Sequence, residues 1–548
     1  MRRSAILALA LCLGACAHGG RRFPLAAPIW RDADATPFAR RPAEIYTPPQ
    51  WDRVDHTLFR PLSDALAYCL DTEARNVNAL DEVPDSSWFT NRIGRRTITA
   101  AQLRAGACTS AADPPRPWTV VRAKTSGTSP GLVIRAADGQ LSIFKIDFDA
   151  PERGTAADSI STRIFWGAGY FTPCDRVILF DRDAFVLATE ADGDHPLPTR
   201  AEVDGLLDEA GRAPDGRLRG SLSEYIPGRP LGGWRFDGLR DDDPNDVFPH
   251  EDRREVRGMV VLSAWLNHID SRAENNMDAW IEVGDGGYLR HYVLDAGDSF
   301  GQVFPSSLLL SQSFGLTNYV DLRHIAEDFL TLGVIDRPYF GARRGRAGDV
   351  LGYYDVERFD AEGWHNGYPN PAFDRATERD RAWMARIIAS FTDEHLRAAI
   401  ASGRFASLTT ASELFRILRG RRRRILERYL VRLSPLTAPR VEGATLCLTD
   451  LALRVGLRFE DGRRYEARAW DDWPREGRRP ATVSRGRSGE VCVALPSFEG
   501  ASPAAPRYRV VDVVAQSIGH PPSAPARVHL YQLGPREFRV VGLERPDP

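Results

Sequence analysis

One stretch of this chain has residue types and spacing suited to chemistry on a phosphate ester. It reads His268-Ile-Asp270-Ser-Arg272-Ala-Glu274-Asn275, and twenty residues beyond Asn275 comes Asp295-Ala-Gly297. Phosphoryl transfer asks little covalent chemistry of a protein and a great deal of positioned charge. One carboxylate must receive or orient the proton of an acceptor hydroxyl, and Asp270 is placed for that. A cation is needed near the transferring group, and Arg272 offers one. An amide oxygen and a second carboxylate can hold Mg²⁺ or Mn²⁺, which favour oxygen ligands. Asn275 and Asp295 supply that pair.

The elements around these residues must bring a further cation to the phosphates. Only two of the 72 basic residues are lysine, Lys124 and Lys145. A lysine that survives in so arginine-rich a chain is a compact point charge where a planar fork does not fit. Leu141 to Ile146 alternates as a strand with Lys145 near its end, and Ala156 to Gly167 follows as a helix with Ile160, Ile164 and Phe165 on one face. Strand-like runs at 120–123 and 132–135 flank Lys124-Thr-Ser-Gly127-Thr-Ser-Pro130-Gly131, and Asp138-Gly139 is a hairpin turn. Further strands are expected at 176–180 and 185–189, then a polar insertion over 192–220, then Ser223-Glu224-Tyr225-Ile226-Pro227-Gly228, a strand ending in a turn.

Beyond residue 229 the pattern is mainly helical. Residues 253–267 carry a wide apolar stripe that leads into the His268 stretch, and Ile281 with 288–294 reads as a hairpin delivering Asp295. Later helices are expected at 382–391, from the Thr392 cap through 400, and at 412–433. The last contains Arg421 to Arg424, read as the solvated face of an amphipathic helix, with a grip on anionic lipid head groups as the alternative. After Pro435 and Pro439, short alternating runs at 445–449, 453–459, 465–470, 490–495, 508–513, 526–533 and 537–541 predict a small β-sandwich over 441–548.

At 548 residues, 43% hydrophobic and 27% charged, the chain is long enough for three or more units of a soluble globular protein. A net charge of −2 argues against a nucleic-acid partner. Arg2-Arg3 and the apolar run Ala5 to Leu13, too short to span a bilayer, read as a targeting segment. It ends in Leu13-Gly14-Ala15-Cys16, which resembles a bacterial lipobox. That resemblance implies a signal segment over 1–16, acylation of Cys16, anchorage to a lipid bilayer and, with Ala17 next, an exported lipoprotein of the outer membrane. Residues 17–57 read as a tether and 58–120 as an irregular cap, with a short helical signal from Pro61 to Leu70. Export permits disulfides. Cys69–Cys108 and Cys447–Cys492 are the preferred pairs, with unpaired buried thiols as the alternative. No C-x-x-C or His/Cys cluster points to zinc.

Taken together, Lys145, Asp270, Asn275 and Asp295 resemble the protein-kinase-like superfamily over roughly residues 121–435. The atypical branches are the nearest in pattern: HipA-type, CotH-type and secreted kinases, and a set of bacterial lipoproteins that share this layout. The resemblance implies an α+β, two-lobed kinase-like fold. A β-rich N-lobe and hinge would occupy 121–228 and a helical C-lobe 229–437, with ATP between them, between the N-terminal cap and the C-terminal β-sandwich. It makes Lys145 the phosphate-pairing lysine, Asp158 its helix partner, and Gly127 and Gly131 part of a phosphate-covering loop. Glu224 and Tyr225 become the hinge that holds adenine through backbone groups. Asp270 becomes the catalytic base, Arg272 the loop cation, and Asn275 and Asp295 the ligands of Mg²⁺ or Mn²⁺. The chain departs from the pattern in its loop, which is not G-x-G-x-x-G, in Asp158 where the family has Glu, in Ala296 where it has Phe, and in lacking A-P-E. Lys124 has no counterpart in the family; it precedes the loop, where it could reach a phosphate or stand as a plain strand-edge lysine. The expected function is an exported, membrane-anchored, ATP- and metal-dependent phosphotransferase; the sequence does not identify its acceptor, with a protein or a glycan as the candidates. The alternatives are a non-catalytic kinase-fold lipoprotein that binds a nucleotide, glycan or protein, and nucleotidyl transfer on the same fold.

Overall fold

Lys145 ends a strand of a six-stranded sheet. The strands are β1 (Trp118–Ala123), β2 (Gly131–Arg135), β3 (Leu141–Lys145), β4 (Asp175–Phe180), β5 (Phe185–Leu187) and β6 (Leu218–Glu224), in the order β4-β6-β3-β2-β1-β5. Every pairing is antiparallel except β1 with β5. The computed structural model describes residues 21–547 apart from 67–71, 125–129, 148–149, 192, 194, 302–314, 338–346, 472–478, 487–488 and 497–499. The lipobox with Cys16, the loop glycine Gly127 and Cys69 lie outside the described residues. The chain is a mixed α/β protein with several sheets. It divides into two units, one of residues 30–77 and 83–430, the other of residues up to 29, 78–82 and 431–548.

In the first unit, side chains alternate across β3, so Ser142 and Phe144 are buried on one face and Lys145 lies on the other. The Phe144 face packs with Trp118, Val120, Ile134, Ile178 and Leu222 in one apolar cluster. Val203 and Leu207 complete it. They come from a helix, Arg200–Glu209, inside the stretch expected to be a polar insertion. Its sequence signal is Thr199-x-x-Glu202, a capping box in which each side chain bonds the other residue's backbone. The Lys145 face receives helix Arg153–Ala168, whose Ile160, Ile164 and Phe165 are fully buried. Helix Arg254–Leu266 and the hairpin β8 (Asn276–Val283) and β9 (Gly286–Val293) follow, β8 also pairing with the two-residue β7 (Arg229–Pro230). Helices Glu378–Ala389, Asp393–Ala401 and Leu408–Ile425 complete the unit's main helices.

Three expectations change here. The basic run of helix Leu408–Ile425 is a solvated face only in part: Arg423 and Arg424 are exposed opposite the buried Leu414, Leu418, Ile425 and Tyr429, but Arg421 turns inward. Arg421 is 2% exposed and donates to the carbonyls of Asp355 and Ala264, while Arg424 donates to that of Phe359. These guanidiniums close off backbone acceptors that would otherwise be buried unpaired. The stretch expected to be a tether as far as residue 57 is packed instead, and its part in the first unit is held at several points: Phe38 and Gly287 exchange backbone bonds of 2.8 and 3.0 Å, and Ile45 N–H donates to Leu231 at 2.8 Å. It continues through helix Pro49–Val54, a π-helical turn at Asp55–Phe59 and helix Arg60–Leu66. Cys108 pairs with Cys174, not Cys69. Arg163 explains the choice, because it donates both to the carbonyl of Arg104 at 2.5 Å and to that of Asp175 at 2.6 Å, drawing the two cysteine neighbourhoods together.

The second unit has nine strands among its described residues, β10 (Leu436–Glu442), β11 (Thr445–Asp450), β12 (Arg463–Asp471), β13 (Arg479–Ala481), β14 (Val483–Arg485), β15 (Glu490–Ala494), β16 (Arg507–Ser517), β17 (Ala526–Gly534) and β18 (Glu537–Glu544). They form one sheet ordered β10-β11-β15-β14 and another ordered β13-β12-β16-β17-β18. Leu446, Leu448 and Val493 of the first share a core with Val511, Val513, Val528 and Leu530 of the second. Cys447 and Cys492 face each other across β11 and β15 and are bonded, as the sequence suggested. The run expected as a strand from 453 instead begins with a short helix, Leu451–Arg454, because Asp450 caps it through the Ala452 and Leu453 amides. Residues far upstream finish the unit: Phe23 N–H donates to Tyr508 Oη at 2.9 Å, Leu543 N–H to the carbonyl of Ala79 at 2.8 Å, and Arg545 pairs with Asp81 at 2.6 Å.

Candidate functional site

Three elements of the first unit meet at Lys145. Asp147, two residues past the end of β3, accepts from the Thr155 amide at 2.8 Å and the Glu152 amide at 3.0 Å, which fixes the start of helix Arg153–Ala168 relative to the strand. The next turn of that helix carries Asp158. Lys145 Nζ lies 3.2 Å from Asp158 Oδ2 and 3.3 Å from Asp295 Oδ2, the latter delivered just past β9. Asp158 Oδ1 accepts from the Ala296 amide at 3.2 Å, and Asp295 Oδ1 from the Gly297 amide at 3.0 Å. The shorter acid therefore does reach Lys145, and the small residue at 296 lets the backbone close on it. Asp158 is almost fully buried, whereas the Asp295 side chain is 47% exposed. The Lys145 ammonium brings the Asp295 carboxyl down to about 2, with the Gly297 amide assisting. Burial disfavours the Lys145 charge, but the two carboxylates more than offset it and hold the ammonium well above its ordinary range.

The His268 stretch begins where helix Arg254–Leu266 stops on Asn267, which takes a left-handed φ of 55° that asparagine tolerates. Its shape is then set by a residue the sequence reading passed over, Asp298. One carboxylate oxygen accepts from the Ile269 and Asp270 amides at 2.6 and 3.0 Å, and the other meets His268 Nδ1 at 2.5 Å. Asn366 grips the same loop from the other side, accepting from the Ser271 amide at 3.1 Å and donating to its carbonyl at 3.0 Å. Asn275 Nδ2 donates to the Asp270 carbonyl at 2.7 Å, which makes Oδ1 the atom that could hold a cation. The Asn275 carbonyl in turn accepts from the Leu294 amide at 2.9 Å and the Asp295 amide at 3.3 Å. The two proposed metal ligands are thus backbone neighbours. Burial raises the Asp270 carboxyl to about 6, with Arg272 opposing and Asp298 reinforcing.

Arg272 is held from two sides. Its Nε lies 2.8 Å from Asp270 Oδ1, and Nη1 donates to Asp52 at 2.5 Å, a residue of helix Pro49–Val54 that no sequence pattern linked to this loop. His56 lies 2.9 Å from the same Asp52 and packs its ring edge-on to Tyr368, over which Arg272 also sits. Glu274 completes the group, its carboxyl raised to about 7 by burial and by Asp52.

Two groups of residues assigned from the sequence have structural roles of their own. The amides of Glu224 and Tyr225 already donate to the carbonyls of Cys174 and Leu141, both at 3.0 Å, and the Glu224 carboxylate pairs with Arg176 at 2.9 Å. Those two N–H groups are engaged with backbone carbonyls. Gly131 is explained by packing: a Cβ there would stand 2.2 Å from the Phe144 carbonyl oxygen, so only glycine lets β2 pair with β3 at this point.

No family model matches the chain, and no curated protein matches it. Among solved structures, a crystal structure of the Golgi casein kinase with Mn/ADP bound is similar at 11% identity and a TM-score of 0.23, covering 51% of this chain and 74% of that one. A second crystal structure of the Golgi casein kinase is similar at 10% identity and the same TM-score of 0.23, covering 54% and 78%. A TM-score of 0.23 is too low for either to say what this chain does.

Proposed function

We propose that the first unit is a two-lobed, kinase-like phosphotransferase that uses ATP with Mg²⁺ or Mn²⁺. The observation that carries the reading is Lys145 held between Asp158 and Asp295 while Asn275 is bonded to the backbone of Asp295. A half-buried lysine held by one enclosed carboxylate and one open one is suited to phosphate. The open carboxylate of Asp295 and the amide oxygen of Asn275, whose backbones are hydrogen-bonded, are the kind of oxygen donors a hard divalent ion takes. Such an ion, when bound, would neutralise phosphate charge. Asp270, raised towards neutrality by burial, is suited to accept the proton of an acceptor hydroxyl. The acceptor would be a protein or glycan. We place the reaction outside the cytosol, on a chain anchored to a bilayer through Cys16, with the C-terminal β-sandwich as a docking module. Two disulfides support an oxidising compartment.

Thermal shift of the full chain with ATP and Mn²⁺ tests this. Stabilisation should appear in the wild type and vanish in Asp295→Ala, and label from γ-labelled but not α-labelled ATP should reach an acceptor. No stabilisation, or an unchanged response in Asp295→Ala, ends the proposal; label from α-labelled ATP makes the reaction nucleotidyl transfer. One observation favours a non-catalytic binder, the engaged amides of Glu224 and Tyr225, which leave adenine without two of its expected donors. Binding without any transfer of label would select that reading.

A further inference from the structure

The two lysines of the chain stand on the same face of the same sheet. Ala123 of β1 pairs with Leu132 of β2, and the Lys124 amide donates to the Gly131 carbonyl at 3.0 Å, so the ladder continues one residue past the end of β1 and sets Lys124 opposite Gly131. Gly131 is in turn the ladder partner of Lys145 on β3. Residues directly opposed in an antiparallel ladder point to the same face. Lys124 and Lys145 therefore flank a position with no side chain, two strand spacings or about 10 Å apart at the backbone. The Lys124 stem bends over the gap, with Cδ 3.2 Å from where a Gly131 Cβ would stand. Its ammonium feels Lys145 as a repelling charge and Asp295 and Asp158 as attracting ones, while burial and Lys145 together hold its pKa below the ordinary lysine value. Two cations brought together beside two carboxylates, one of which is the open Asp295, form a receptor for a larger anion.

We propose that Lys124 is a second phosphate-binding residue of this site, taking the terminal phosphates of the polyphosphate chain while Lys145 takes those nearer the nucleoside. The proposal rests on the reading of the site as a nucleotide site. It also gives a reason for the composition. Arginine fills 70 of the 72 basic positions, and the two exceptions share one cradle, where two planar guanidiniums would crowd a gap one strand wide.

The test is binding to the full-length protein in constant Mn²⁺, by calorimetry, with ATP, inorganic tripolyphosphate and AMP as probes. Loss of one charge-assisted contact predicts that Lys124→Met binds ATP and tripolyphosphate about tenfold or more weakly. AMP, which lacks the terminal phosphates, should bind the variant as it binds the wild type. Lys124→Arg, which keeps the charge, should recover part of the loss. Unliganded melting curves check folding, and Lys124→Gln serves if Lys124→Met does not fold. Wild-type ATP affinity in Lys124→Met beside lost affinity in Lys145→Met overturns the role of Lys124 and leaves the nucleotide site standing. An equal loss for AMP and ATP also overturns it, since the effect would then be general. Absence of ATP binding by the wild type overturns both.

Discussion

Asp298→Asn is the sharpest probe of how the loop around Asp270 is held. The Asp298 side chain is 9% exposed, so its interactions are little screened by solvent. It accepts from two backbone amides and meets His268. Bonds to a charged acceptor contribute roughly 1.5–3 kcal/mol each, against about 1 kcal/mol for neutral ones. Asparagine keeps an acceptor for the amides but loses the charge and sets an NH₂ group against His268. The expected cost is about 3 kcal/mol, rising to about 5 kcal/mol for Asp298→Ala, which leaves two buried amides unpaired. The cost should depend on pH. Burial works against a charged His268, but Asp298 raises its pKa above the usual value. A histidine raised in the folded state contributes stability that is fully present below its unfolded value of about 6.5 and is lost as pH rises through the folded value. The gap between wild type and variant should therefore be widest below pH 6.5 and narrow above it. Because Asp298 also raises Asp270, its neutralisation should shift the acid limb of activity to lower pH. Hydrogen exchange in rising urea reads residues 263–275 separately from residues 431–547, which avoids assuming a single transition for a two-unit chain. A loss under about 1 kcal/mol that is the same at pH 5.5 and pH 8 would show that Asp298 does not anchor the loop.

In the wild type, activity should rise with pH through about 6 as Asp270 ionises, and a flat pH–rate profile from 5 to 7 would exclude Asp270 as the base. Glu274, with a folded pKa of about 7, holds a proton that an unfolded glutamate releases near 4.5, so its contribution weakens as pH climbs through that window. After allowance for base-catalysed intrinsic exchange, the amides of residues 49–66 should be less protected at pH 8 than at pH 6, and Glu274→Gln should abolish that loss of protection. Removing the Cys108–Cys174 bond by a double serine substitution should destabilise the first unit by up to about 4 kcal/mol, because the bond closes a 66-residue separation; a melting temperature unchanged from wild type would refute this.

The parts of the site legible in the sequence were those written locally. Lys145 on an alternating strand, Asp158 near the start of the next periodic helix, and Asp295 after a hairpin are each fixed by near neighbours, and the structure brings the three together. Asp298 also lay in view, three residues after Asp295, but nothing in its spacing announces a carboxylate that turns back onto residues 268–270. Asp52 was not legible at all, being 220 residues from Arg272 in a stretch whose Pro-rich composition imitates a linker. Pairing of Cys108 with Cys174 depends on where helix Arg153–Ala168 sends Arg163, a tertiary fact. The helix at Arg200–Glu209 was a missed capping box rather than a missing signal.

The second unit is assembled from three separated pieces of chain, and this has a consequence for the order in which it can form. Phe23 and Ala79 must wait through more than 400 residues of synthesis before Tyr508 and Leu543 exist to receive them. Contacts so distant in sequence form late, because the loop entropy must be overcome first. Until then Phe23, 4% exposed in the finished protein, is an unsheltered aromatic on the emerging chain. The same arrangement sets how the protein can be cut: a fragment beginning at residue 431 would keep its nine strands yet lack the Phe23 ring, which packs where a side chain on Gly542 would otherwise lie.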